Sequence, residues 1–76
     1  MQLGTRWNVG AATPPRLDDD FVTVIRQVEA RYSGEDTAQW RWTLTWLEGR
    51  PVAELDATGT AVRYAHDGSV TVVEED

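Results

Sequence analysis

One stretch of the chain alternates between apolar and polar residues with the period of an α-helix. Its apolar positions fall at i, i+3, i+4, i+7 and i+11, and they are Phe21, Val24, Ile25, Val28 and Tyr32. Residues at this spacing form one stripe along a helix, so the pattern predicts an amphipathic helix that begins just after Leu17.

Polar residues mark both ends of this helix. Asp18 is a good N-cap residue, and Asp19 and Asp20 would lie in the first turn, where the helix dipole favours carboxylates. We expect Gly34 to end the helix in a left-handed conformation. The three aspartates therefore need no metal ion to explain them.

A period of two residues marks the strands. Leu3, Thr5, Trp7 and Val9 alternate with smaller or polar residues up to Gly10, which predicts a short first strand, and residues 10–16 follow as a proline-containing loop. Residues 39–48 alternate without a fault, with Trp40, Trp42, Leu44 and Trp46 on one face. This segment is the clearest predicted strand.

Three turn sequences divide the rest of the chain into strands. They are Glu48-Gly49-Arg50, Asp56-Ala57-Thr58-Gly59 and Asp67-Gly68. Alternation carried through these turns pairs Arg63 with Val72 and Ala65 with Val70. It gives a meander whose core face carries the tryptophans together with Ala53, Leu55, Ala61, Ala65, Val70 and Val72. We expect the helix to lie on that face, with the small alanines opposite the large indoles.

These elements predict an α+β fold: one amphipathic helix on one face of a four- to five-stranded, mainly antiparallel sheet, in the order β-α-β-β-β-β. Seventy-six residues suit a single domain spanning residues 1–76. The first strand could join the sheet beside residues 40–47 or beside residues 69–73, and the pattern leaves both places open.

The second face of the sheet is the candidate protein-binding face, because a single helix leaves it uncovered. Its candidate contact residues are Arg41, Val52, Glu54, Val62, Tyr64 and Val73. Apolar side chains rimmed by charge, with tyrosine and arginine among them, are typical of interaction surfaces. The alternative is an ordinary solvated face with single apolar side chains.

Charge and composition exclude several classes of function. The net charge of −6 and the pI near 4.5 argue against nucleic-acid binding. Without cysteine, and with one histidine, the chain has no expected metal or cofactor site. No apolar run is long enough for a membrane span, and we expect a cytoplasmic protein. All basic residues are arginine, which suggests a GC-rich, bacterial genome.

No group of residues has the pattern of a catalytic site, and we predict that the protein is not an enzyme. His66, Asp67 and Ser69 resemble a nucleophilic triad in composition only, because they fall in a predicted hairpin turn. Asp18, Asp19, Asp20, Glu35 and Asp36 could supply a carboxylate pair, yet helix caps explain them sufficiently.

The leading hypothesis is therefore a small acidic module that binds another protein, or a second copy of itself, through the second sheet face or a sheet edge. One alternative is an acidic inhibitor, antitoxin-like protein or nucleic-acid mimic. Another is a ligand-binding module in which the tryptophan row faces solvent as a stacking platform; otherwise we consider a small-molecule partner unlikely.

Overall fold

A computed structural model describes residues 4–74 and shows one α-helix packed against a five-stranded antiparallel sheet. The elements are β1 (Thr5–Asn8), α1 (Asp19–Arg31), β2 (Arg41–Leu47), β3 (Arg50–Leu55), β4 (Thr60–Tyr64) and β5 (Val70–Val73). The strands lie side by side in chain order. This confirms the predicted fold class; of the first-strand residues, Leu3 lies outside the described part.

The first strand joins the sheet beside the tryptophan-rich strand. β1 pairs antiparallel with β2, so that Trp7 lies opposite Trp42 and Arg6 opposite Thr43. The two indole rings stack with their centroids 6.2 Å apart. The edge strands are consequently β1 and β5, and the question that the sequence left open is answered in favour of residues 40–47.

The helix begins as predicted but ends earlier. Asp18 is the N-cap in an extended conformation, although its side chain makes no capping hydrogen bond within the helix. The helix ends at Arg31, where Tyr32 leaves helical geometry and packs its ring edge-on against Trp40, with the centroids 5.3 Å apart. The prediction for Gly34 is wrong, because the left-handed glycines are Gly10, Gly49, Gly59 and Gly68.

The core lies between α1 and one face of the sheet. Its fully buried side chains include Phe21, Ile25 and Val28 from the helix and Trp42 and Leu55 from the sheet. The backbone of α1 comes close to β4 and β5 rather than to the strands that carry tryptophan. The indoles of β1 and β2 fill the space on the other side, because they are too large to lie directly beneath a helix at close range.

The first predicted hairpin turn is confirmed, whereas the other two loops are each one residue longer than predicted. Glu48 and Gly49 both have positive φ, as a two-residue type I′ turn requires. The predicted core face holds both Leu55 and Ala61, which requires an odd number of residues, here three, in the β3–β4 loop, but Leu55 pairs with Thr60, so the loop holds four residues, 56–59. The Ala65 amide donates to the Ser69 carbonyl at 2.8 Å, so the pairing extends one residue beyond β4 and β5 and leaves three residues, 66–68, in the loop, where two were predicted.

These loop lengths correct the predicted orientation of β4. Val62 pairs with Ala53 and with Val72, and it is fully buried in the core. Thr60, Val62 and Tyr64 therefore face the helix, while Ala61, Arg63 and Ala65 face outward. The predicted orientation would have placed Arg63 beneath the helix, where burial of an unpaired charge is costly. The two errors cancel at β5, and Val70 and Val72 face the core as predicted.

A carboxylate joins the helix to the buried tryptophan. The Trp42 indole N–H donates to Glu29 Oε2 at 3.0 Å, and the Gly10 amide donates to the same oxygen at 3.1 Å. Arg26 donates to Glu29 Oε1 at 2.9 Å and to the Ala11 carbonyl at 2.8 Å. The Glu29 side chain is only 10% exposed. This Glu29 cluster ties α1, β2 and the loop after β1 together.

The second indole of the stacked pair has no such partner. Trp7 is 8% exposed, and its indole nitrogen is buried without a hydrogen-bond acceptor among residues 4–74. A buried donor without a partner costs about 1–3 kcal/mol. Both stacked tryptophans are thus buried, but only the Trp42 indole N–H has a hydrogen-bond acceptor.

This difference predicts unequal effects of the same substitution. Trp42→Phe should cost about 1–3 kcal/mol more of the free energy of unfolding than Trp7→Phe, because only the first substitution removes a hydrogen bond to a buried carboxylate. Urea denaturation of both variants measures the difference, and equal losses would contradict the role of the Glu29 cluster.

The orientation of β4 is tested by a pair of valines. Val62→Ala should reduce the free energy of unfolding by about 2 kcal/mol through lost burial and a small cavity. Val73→Ala, at an exposed position, should change it by less than about 0.5 kcal/mol. A loss for Val62→Ala as small as that for Val73→Ala would show that β4 presents its other side to the helix.

Candidate functional site

The sheet face opposite α1, called the outer face here, is not covered by any element within residues 4–74. Strand alternation and the observed pairings place on it Arg6, Asn8, Arg41, Thr43, Thr45, Leu47, Arg50, Val52, Glu54, Ala61, Arg63, Ala65, Thr71 and Val73. These side chains are mixed in character and form the candidate contact surface.

Four of the six residues predicted for the protein-binding face lie on the outer face: Arg41, Val52, Glu54 and Val73. Val62 and Tyr64 do not, and their predicted placement there is wrong. Val62 is buried, and Tyr64 packs against Phe21 of the helix, with the ring centroids 5.4 Å apart. The physical cause is the longer β3–β4 loop, which turns β4 over.

The apolar side chains of the outer face lie at two places: Leu47 and Val52 near the β2–β3 turn, and Val73 at the end of β5. Leu47 is 65% exposed and is one of the two large hydrophobic side chains that are clearly exposed in the described chain, with Val73 as the other. A shallow groove of about 600 Å³ runs beside Leu47 and Val52 and is bordered by Arg50, Arg63 and His66. An exposed leucine beside a groove gives a partner an apolar contact point.

Arginine dominates the charge of the outer face, even though the chain as a whole is acidic. Arg6, Arg41, Arg50 and Arg63 lie on it, whereas its strand carboxylate is Glu54. The ion pairs found within residues 4–74 are Arg26–Glu29 and Arg31–Glu74, so these four guanidinium groups have no partner there. At the margin, Asp56 accepts a hydrogen bond from Thr43 at 3.1 Å.

Sequence reasoning missed the importance of Arg63. It stands between Ala61 and Ala65 at the spacing of one strand face, and the other face of the same strand reads Thr60, Val62, Tyr64. An arginine on a strand is a strong sign that its face points to solvent, because long charged residues are almost never fully buried without a partner. That signal would have given the correct orientation of β4.

The tryptophans do not form a solvent-facing row. Trp42 is fully buried and Trp7 nearly so, whereas Trp40 and Trp46 are half-buried. A stacking platform made of the whole row is therefore incompatible with the fold. Trp46 keeps part of its ring accessible, and the guanidinium carbon of Arg16 lies 6.0 Å from its ring centroid.

The residues that resemble a triad form a turn. Asp67 Oδ1 accepts hydrogen bonds from the Ser69 amide at 2.9 Å and from the Ser69 hydroxyl at 2.6 Å. These bonds lower the pKa of the Asp67 carboxyl, and His66 is exposed beside it. The Ser69 hydroxyl donates to the carboxylate directly, so it is held as a turn-stabilising group.

The acidic residues considered as a carboxylate pair occupy structural positions at the start of α1 and in the loop that follows it. Asp18 accepts a hydrogen bond from Tyr64, Asp36 accepts one from the Ala38 amide at 3.3 Å, and Asp19 and Asp20 occupy the first turn of α1. Residues 4–74 contain no group of three or more histidine or acidic side chains arranged to hold a metal ion.

Residues 4–74 include no helix with both the length and the apolar character needed to cross a membrane. Comparison of the chain with protein-family models, with curated proteins and with solved structures finds no match in any of the three.

The contact between Tyr64 and Asp18 predicts an unusual titration. Partial burial raises the pKa of Tyr64 above 10.0, and the hydrogen bond to Asp18 and the charges of Asp18 and Asp20 raise it further. The folded state thus holds the phenolic proton more tightly than the unfolded chain does. The stability that this provides is complete below the unfolded pKa and is lost as pH rises through the folded pKa.

Absorbance titration in a Tyr32→Phe background measures this pKa directly, because Tyr64 is then the one tyrosine left. Asp18→Asn should move the pKa of Tyr64 back toward 10.0, since it removes a negative charge next to the phenol. Glu35→Gln, at the other end of α1, serves as the charge-matched control. A Tyr64 pKa that is identical in the Asp18→Asn and control proteins would contradict the contact.

Proposed function

We propose that this chain is a small non-enzymatic module of the cytoplasm that binds an acidic partner protein through its outer face. The observation that supports this best is an uncovered five-stranded sheet face that combines exposed Leu47 with arginines that have no ion-pair partner within residues 4–74. Interfaces are enriched in arginine and contain apolar anchors of this kind.

The apolar contribution comes from the end of the sheet near the β2–β3 turn. Leu47 projects beside the groove, and Val52 lies within it, between Thr45 of β2 and Arg63 of β4. Burial of apolar surface contributes roughly 25 cal/mol per Å², so one leucine and one valine would supply a modest anchor. The arginines around them would then provide most of the selectivity.

Charge distinguishes among the possible partners. A twofold pairing of this face with a second copy would bring arginines of both copies to one interface, and like charges opposed in this way are unfavourable. A nucleic acid carries a phosphate at every nucleotide, so a chain of net charge −6 would repel it more strongly than it would repel a protein surface with a few carboxylates, and the described strands place no tryptophan, tyrosine or phenylalanine on the outer face for a base to stack on. An acidic protein surface would pair its carboxylates with the arginines of the outer face and would bury the exposed Leu47.

The acidic-inhibitor hypothesis and the nucleic-acid mimic remain predictions, and no contact or charge arrangement in residues 4–74 specifically favours them. A mimic needs carboxylates along one face, whereas Glu54 lies among arginines on the outer face and Glu74 is paired with Arg31.

Titration of the labelled protein with a synthetic peptide that alternates glutamate and valine tests the proposal. Amide NMR signals of Val52, Arg63 and Thr71 should shift, and the binding should weaken as salt concentration is raised. Arg63→Gln should weaken binding by about threefold through loss of one exposed charge contact, and Val52→Asp by about tenfold or more.

Arg31→Gln is the matched control, because it removes the same charge on the helix side of the molecule and should leave the peptide affinity unchanged. Shifts confined to the helix side, or equal effects of Arg31→Gln and Arg63→Gln, would refute the proposal. Sedimentation that shows a dimer abolished by Val52→Asp would replace the acidic partner with a second copy.

A further inference from the structure

A second recess, of about 430 Å³, opens where α1 begins, between the loop before the helix and the turns that follow β2 and β4. Its volume falls within the range of small-molecule sites, which is roughly 300–1,000 Å³. Trp46, Pro51 and Tyr64 form its apolar lining, and Arg16, Arg50 and Asp18 supply its charged groups. A lining that combines flat apolar groups with a few charges is typical of a site for a small ligand.

Arg16 is held in an unusual backbone conformation beside this recess. Its φ is 80°, which is rare for a residue other than glycine, and it follows Pro14 and Pro15 directly. In this conformation the guanidinium carbon lies 6.0 Å from the Trp46 ring centroid, within the range of a cation–π contact. Backbone strain of this kind persists only where the surrounding structure fixes it. The cation is thus positioned next to an accessible indole.

The charges of the recess favour an anion, and specifically one of low charge. Arg16 and Arg50 form no ion pair with any residue in the range 4–74. Asp18 is the one carboxylate in the lining, and its Oδ2 already accepts the Tyr64 hydroxyl at 3.1 Å. Asp19 and Asp20 follow on the helix, so a multiply charged phosphate would meet more repulsion than a carboxylate.

We propose that this recess binds a small planar aromatic carboxylate. The ring of the ligand packs against Trp46 and Pro51, and its carboxylate accepts hydrogen bonds from Arg16 and Arg50. Guanidinium groups match the geometry of a carboxylate and form charge-assisted hydrogen bonds with it. Arg16 and Trp46 lie on the helix side of the sheet, so they are not part of the outer face, whereas Arg50 lies at the boundary and lines both this recess and the groove beside Leu47.

Two probes that differ only in charge test the site. The protein is titrated with 1-naphthoate and with its neutral isostere 1-naphthamide, and the indole N–H signals of the tryptophans are followed by NMR. The Trp46 signal should shift with naphthoate, and naphthoate should bind about tenfold more tightly than naphthamide, as two charge-assisted contacts imply. The signals of Trp42 and Trp7 should stay in place.

Arg16→Gln should remove most of the preference for naphthoate and leave the affinity for naphthamide nearly unchanged. Arg31→Gln is the matched control and should bind both probes as the unaltered protein does. Because Arg16 is not part of the outer face, Arg16→Gln should also leave acidic-peptide binding intact. Equal affinity for both probes, a shift at Trp40 instead of Trp46, or no shift at low-millimolar naphthoate would each overturn the proposal.

Discussion

The hydrogen bond between the Trp42 indole and Glu29 is the constraint on which the rest of the structure depends. A small core gains much of its stability from large aromatic side chains, yet an indole brings an N–H group that must find an acceptor when it is buried. Glu29 supplies that acceptor from the helix, and Arg26 and the Gly10 amide satisfy the carboxylate in turn. One interaction therefore fixes the position of α1 along the sheet and the path of the loop that leads into it.

The position of the helix explains why the two faces of the sheet differ so much. The indoles of Trp7 and Trp42 occupy the core at one side, and α1 approaches β4 and β5 at the other, where the inward residues are smaller. The single helix within residues 4–74 covers one face of the sheet, so the arginines and Leu47 of the outer face remain exposed to solvent. At the N-terminal end of α1 the same placement leaves Trp46 incompletely covered, next to Arg16. Both proposed binding surfaces thus lie where the single helix of the described chain leaves the sheet uncovered.

Much of this fold is predictable from the sequence, because its periodicities are strong. The stripe of α1 and the alternation of β2 predicted these elements, and the alternation carried through the Glu48-Gly49-Arg50 turn placed the tryptophans of β2 on the same face as Ala53 and Leu55, as observed. Turn sequences alone did not determine how many residues each loop holds, and one extra residue reverses an entire strand. Thus β4 was assigned the wrong side, although Arg63 carried the information needed to correct it. The Glu29 cluster and the recess beside Arg16 depend on contacts between segments that are distant in the sequence, so no local sequence pattern predicts them.

Hydrogen exchange of the four tryptophan indole N–H groups, followed by NMR, tests whether the Trp42–Glu29 hydrogen bond holds α1 to the sheet. We expect the Trp42 indole proton to exchange most slowly, at a rate set by global unfolding, because it is both buried and bound to Glu29. The half-buried Trp40 and Trp46 should exchange much faster. A Trp42 indole that exchanges as readily as that of Trp46 would show that the helix is not held to the sheet in this way.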